Sequence, residues 1–275
     1  MTSPALPPLT APVAVFDAGI GSYAAVDRIH RAFPEQDIVY LADRASFPYG
    51  GKSLPELRTT IERTLDHLEA LDPAPSAIVV ASNVPSVTVL DETVTGRRTP
   101  VVRVVPPVRE ALEKAGEYGE VAVLGVTSLV TSEAIVHYVD RESGPARSAR
   151  VRLRDASALV ELVESGAFLF EPEGTLRTVA EYVARLRGEH PAVRVATLSS
   201  THLPWLRPFL EEAAPDLDFL DPGDSVIAEI APHTRAGSGS VVGLVTETPD
   251  YPADRFREML ARIGVEIPLV PVTIA

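Results

Sequence analysis

Short apolar runs that end in a polar residue and give way to helical spacing recur along this chain, and that alternation constrains its fold more than any other feature. The segments 12–18 (PVAVFDA), 37–43 (DIVYLAD), 76–82, 101–105, 120–126, 193–199 and 241–246 read as buried strands. A brief strand is expected at 219–222. At 150–154 (RVRLR), apolar and basic residues alternate, which suits a half-exposed edge strand better than a nucleic-acid patch. Between these runs, Leu54, Leu57, Ile61, Leu65, Leu68 and Leu71 recur at helical spacing. Further helices are expected at 159–164, 175–187, 225–230 and 253–263. The glycine-rich 236–240 (AGSGS) reads as a flexible connector, and an apolar tail, PLVPVTI, follows the last helix. Nine strands alternating with helices predict α/β architecture with parallel sheets.

Two of the strand ends resemble each other. In 76–86 (SAIVVASNVPS) an apolar run closes on Ser82 and Asn83 and is followed by a turn. In 194–206 (RVATLSSTHLPWL) a similar run closes on Ser199, Ser200 and Thr201, then His202 and a Pro-containing exit. Ligands of parallel α/β sheets bind outside the carboxyl ends of the strands, so both ends are site candidates. Their similarity predicts two pseudo-symmetric α/β domains with the site in the cleft between them. The expected division is 12–103 with 219–275 for the first domain and 104–218 for the second, after a flexible Pro-rich lead at 1–11.

Composition narrows the classes of function. A net charge of -13 disfavours nucleic acid and anionic membrane as partners. There is no cysteine, which excludes disulfides, thiolate metal sites and thiol nucleophiles together. The six histidines show no close metal-ligand spacing, and Gly19 and Gly21 are not followed by the third glycine of a dinucleotide fingerprint, since Ala24 stands there. No metal or organic cofactor is therefore expected. The N-terminus lacks a basic region, four prolines interrupt its apolar residues, and no run approaches the ~20 apolar residues of a membrane span. A cytoplasmic location is the expectation.

FDAGIGS at 16–22, YLADRASFPYGGKS at 40–53, VVASNVPS at 79–86, LVESG at 162–166 and SSTHLPWL at 199–206 resemble, in order, the hallmark segments of glutamate racemase. The resemblance covers about 12–248, and PYGGKS after an acidic YLAD segment is its most specific piece. It implies a cofactor-independent amino-acid racemase of two α/β domains, with a place in cell-wall precursor metabolism. Two cysteines then work on opposite faces of the substrate, one removing the Cα proton while the other supplies one. Those cysteines fall on Ser82 and Ser200. The assisting Asp and His fall on Asp17 and His202, and a further acidic residue on Glu164. Tyr49, Gly50, Asn83 and Thr201 stay in register as substrate-binding positions. Four hydroxyls of the pattern are replaced, at Ala18, Val84, Val126 and Leu129.

The exchange of cysteine for serine is small in shape and large in chemistry. A thiol ionises near pH 8.5, and an alcohol proton is harder to remove by roughly five or more units. The deficit is on the order of 7 kcal/mol, or ~10⁵ in rate, unless a neighbour takes the proton. Each candidate also has a plainer role. Ser82 and Ser200 can be strand-end hydroxyls bonded to backbone, Asp17 a helix cap, His202 a loop histidine, and Glu164 a solvated or ion-paired helix residue. His67 reads as structural.

Three functions follow as expectations. The first is a racemase-like protein that binds a small amino acid or carboxylate, with cysteine-type racemisation lost or strongly reduced. The second is an active racemase or isomerase using Asp17/Ser82 and His202/Ser200 as its acid/base pairs. The third is a non-catalytic interaction subunit. A homodimer is compatible with each.

Overall fold

The computed structural model describes residues 8–274. Within them the chain forms two compact units, one built from residues up to 104 together with those from 223 onward, the other from 105–222. Each unit has its own parallel sheet.

The first sheet contains β1 (Val13–Asp17), β2 (Ile38–Asp43), β3 (Ala77–Val80) and β4 (Val101–Arg103). The second contains β5 (Glu120–Gly125), β6 (Val151–Asp155), β7 (Val193–Leu198) and β8 (Asp218–Leu220). The chain then returns to the first sheet with β9 (Val241–Thr246) and β10 (Leu269–Pro271). The orders are β10-β9-β2-β1-β3-β4 and β6-β5-β7-β8, with every pair parallel. All residues of β1, β2 and β3 are buried, as expected of strands covered by helices on both faces. The parallel α/β class is thus what the alternation of runs predicted.

β6 lies at an edge of the second sheet, as its alternating pattern suggests. Its arginines meet protein partners: Arg152 pairs with Glu120, Arg154 with Glu189, and Arg150 donates to the Gly116 and Gly119 carbonyls. The apolar run 193–198 is buried except at Arg194.

Four local expectations differ from the structure. Asn83–Thr88 is a short helix where a turn was expected; Pro85 is tolerated because the first turn of a helix makes no use of that N–H. The tail contributes a tenth strand, β10, beside β9. β8 pairs with β7, which keeps the chain in the second sheet through Leu220, beyond the expected return at 219.

The fourth concerns the supposed flexible connector, which is pinned. Asp37, fully buried, accepts bonds at Oδ1 from the Ser238 N–H (2.9 Å), the Ser238 hydroxyl (2.7 Å) and the Ser240 N–H (2.9 Å), and at Oδ2 from the Thr10 N–H (2.7 Å). The glycines let the backbone approach: a Cβ at Gly237 would stand 2.5 Å from Asp37 Oδ2, and Gly239, at φ +71°, lies against the Pro34 carbonyl. The same clasp anchors 8–11, where Leu9 is buried and the Ala11 carbonyl accepts from Gln36. Residues 1–7 of the expected flexible lead lie outside the described residues.

Candidate functional site

Connectivity marks one place in each sheet. The segment after β1 leads to β2 on one side, and the segment after β3 leads to β4 on the other, so neighbours β1 and β3 have diverging connections. In the second sheet β5 leads to β6 and β7 leads to β8, so β5 and β7 form the same divergence. Ligands of open parallel sheets bind outside the carboxyl ends at such points. A backbone bond closes each one: the Ala81 N–H donates to the Phe16 carbonyl, and the Ser199 N–H to the Leu124 carbonyl, both at 2.9 Å.

In the first unit this point gathers Asp17, Ser82 and Asn83. Asp17 is the last residue of β1 and is 5% exposed. The N-cap positions of the turn and helix that follow are Gly19 and Ser22. Ser82 is the N-cap of Asn83–Thr88, extended at φ -152°, yet its side chain makes no cap hydrogen bond. Asn83, the first residue of that helix, is 4% exposed, and both its Oδ1 and Nδ2 are buried without a hydrogen-bond partner. Buried polar atoms are nearly always satisfied, so an amide orphaned at both ends signals a place for something else.

The loop after β2 packs alongside. Tyr49 is buried, and its hydroxyl donates to Asp43 Oδ2 at 3.1 Å, so its side chain is engaged by the protein. Burial first, then the charges of Asp43 and Asp17, hold that phenol well above its usual range. Gly50 is half-buried in the same 3-10 turn, Tyr49–Gly51. Arg44 is 5% exposed; its guanidinium stacks 4.5 Å from the Phe47 ring centre and 5.2 Å from that of Tyr251, and donates to the Ala18 carbonyl at 2.9 Å. That bond ties the backbone just beyond Asp17.

Asp43 and Arg44 were not singled out from the sequence. Asp43 is 2% exposed and accepts from Thr246 Oγ1 at 2.8 Å as well as from Tyr49. A signal existed: it closes an apolar run just as Asp17 does. Asp43 also lines a cavity of about 150 Å³ with Thr60, Arg63, Thr64 and Thr246, which none of the nine expected site residues lines. His67, half-buried, has its pKa lowered by burial against the opposing pull of Asp43.

In the second unit three expected residues form one line. Ser200 Oγ lies 3.4 Å from His202 Nδ1, and His202 Nε2 lies 2.7 Å from Glu164 Oε1. The His202 and Glu164 side chains are only 8% and 9% exposed, so Glu164 is not a solvated helix residue. Local structure explains the placement. His202 is the N-cap of the turn Leu203–Leu206, with Pro204 inside it, and Glu164 ends the helix Ser157–Glu164 packed against that turn. Thr201 is half-buried between Ser200 and His202. At the positions where the resemblance implies threonines, Leu129 is fully buried and Val126 half-buried. The hydroxyl of adjacent Thr127 is taken by Asp155 at 2.8 Å.

Two parallel α/β units, each with polar groups at its divergence point and one with a carboxylate–imidazole–hydroxyl line, define an α/β protein of doubled architecture. No model of a known protein family matches the sequence. Individual relatives do. The chain is 30% identical over 222 residues to a glutamate racemase of Ectopseudomonas mendocina, covering 80% of this chain and 81% of that one. It is 28% identical over 267 residues to one of Thermus thermophilus, covering 94% and 95%. The chain belongs to the glutamate racemase family.

Solved structures agree. A Thermus thermophilus glutamate racemase in complex with beta-chloro-D-alanine superposes with a TM-score of 0.76 at 27% identity, over 96% of this chain and 97% of that one. The Escherichia coli glutamate racemase, in complex with L-glutamate and an activator, matches in fold with a TM-score of 0.80 at 22% identity, over 97% and 100%. Among the described residues no helix is long and apolar enough to cross a membrane.

Proposed function

We propose that this protein binds a small amino acid or carboxylate at its strand ends and that thiol-type racemisation is lost or strongly reduced. The carrying observation is Asn83, whose buried amide has both a donor and an acceptor without partner. A group offering both in return, such as an α-ammonium beside an α-carboxylate, would satisfy it. Relatives crystallised with D-glutamate and with beta-chloro-D-alanine support a ligand of that size and chemistry. Serine at both cysteine positions, Ser82 and Ser200, supports the loss of the reaction. In the first unit, Asp17 and Gly50 belong to the proposed site, and Tyr49 through its backbone.

Calorimetric titration with D- and L-glutamate, aspartate, alanine and succinate tests binding. At least one should bind, and Asn83→Ala should weaken it; no binding by any of them would refute the reading. Proton NMR in D₂O tests turnover: Cα exchange well above buffer would show that racemisation survives. That second outcome is favoured by one observation, the 2.7 Å contact between His202 and Glu164, which orients a base beside Ser200. In that case His202→Ala would abolish the exchange.

A further inference from the structure

The hydrogen-bonded line in the second unit permits a different reaction. We propose that Ser200 is an acyl-accepting nucleophile, with His202 as its base and Glu164 as a positioning residue, and that it is acylated by activated esters of small carboxylic acids.

The argument is geometric. Glu164 Oε1, 2.7 Å from Nε2, accepts a hydrogen bond from it, so that a neutral imidazole carries its proton on Nε2. The lone pair is thereby left on Nδ1, the nitrogen facing Ser200 Oγ at 3.4 Å. A nucleophile within reach of a base that a third group orients is the arrangement acyl transfer needs, and the nucleophile–base contact is commonly loose before substrate binds. The roles matter, not the sequence order. Ser200 is 8% exposed. The Ser199 hydroxyl is committed: its Oγ lies 2.7 Å from Thr197 Oγ1.

In the first step the Oγ–C bond forms at the acyl carbon as the Ser200 hydroxyl proton passes to Nδ1. Collapse breaks the bond to the leaving alkoxide, which departs with that proton. Water then attacks the acyl-serine, giving its proton to Nδ1, and the carboxylic acid leaves as Oγ is reprotonated. Water is the only co-reactant.

The test uses the full chain and p-nitrophenyl acetate. The expected result is a burst of p-nitrophenolate stoichiometric with protein, and an acetyl group mapped by peptide mass spectrometry to Ser200. Ser200→Ala should remove both, His202→Ala should slow the burst by ~10²-fold or more, and Ser148→Ala, at a half-buried serine elsewhere in the same unit, should change neither. Added imidazole should restore part of the His202→Ala rate, which a merely misfolded variant would not show. For Glu164, ¹⁵N NMR of His202 should show the Nε2–H tautomer in the parent and a mixture in Glu164→Ala. The proposal is overturned if no acetyl-protein forms, if the label sits on Ser82 or another residue, or if Ser200→Ala keeps the burst.

Discussion

At the end of β3, Ser82 makes no cap bond and Asn83 is buried with both amide ends unpartnered, whereas at the end of β7 Ser200, His202 and Glu164 are joined in one line. The two ends occupy equivalent points of their sheets and carry similar residues. They differ in satisfaction. An unmet buried polar group costs about 1–3 kcal/mol, and a bond to a charged group contributes about 1.5–3 kcal/mol. The first strand end therefore holds a deficit that a ligand can fill, while the second is complete in itself and has a base in place.

The sharpest way to break this contrast is to give both ends the same chemistry. Ser82→Cys with Ser200→Cys should raise Cα exchange of glutamate by up to ~10⁵-fold over the parent, read by NMR in D₂O. No gain would place the loss in the apolar replacements at Ala18, Val84, Val126 and Leu129 instead. Next in size, Glu164→Ala strands a buried imidazole nitrogen, so urea unfolding should show a loss of about 2–3 kcal/mol. Asn83→Ala should act in the opposite sense, weakening the ligand roughly 10- to 100-fold while leaving the free protein as stable or up to ~1 kcal/mol more so. Equal destabilisation by the two substitutions would erase the distinction.

The smallest expected effect lies away from both ends and calibrates them. Burial pushes the Asp37 carboxyl up, and the bonds from Thr10, Ser238 and Ser240 more than reverse this, leaving it below its usual range. Because the folded pKa is the lower one, the stability it contributes is full above the unfolded value near 3.9 and is lost as pH falls through the folded value. Asp37→Asn should flatten that part of the stability curve in acid titrations followed by circular dichroism, without altering ligand binding.

The fold was readable because parallel strands buried on both faces leave continuous apolar runs, and 38–43 or 120–125 admit little else. The divergence points were readable for the same reason, since polar residues closing such runs stand out. What stayed hidden depends on partners distant in sequence. Nothing local to Glu164 announces a bond to a residue 38 positions on, and nothing in AGSGS announces that a carboxylate 201 positions earlier will clasp it. Tyr49 is a ligand contact only through the resemblance, and nothing in the sequence tells where its hydroxyl goes. Only packing reveals that Asp43 has already taken it.

The position of β2 carries a consequence for how the protein is made. β2 lies between β1 and β9, and β9 comes from the last part of the chain, after the whole second unit. During synthesis, β2 waits with one row of amides and carbonyls unpaired while about 200 residues emerge, and an apolar strand in that condition invites pairing with another chain. A message truncated near residue 222 would leave that edge permanently open. Such a fragment should aggregate, and a circular permutant that begins at 223 should present β9 and β10 first and close the edge as soon as β2 is translated.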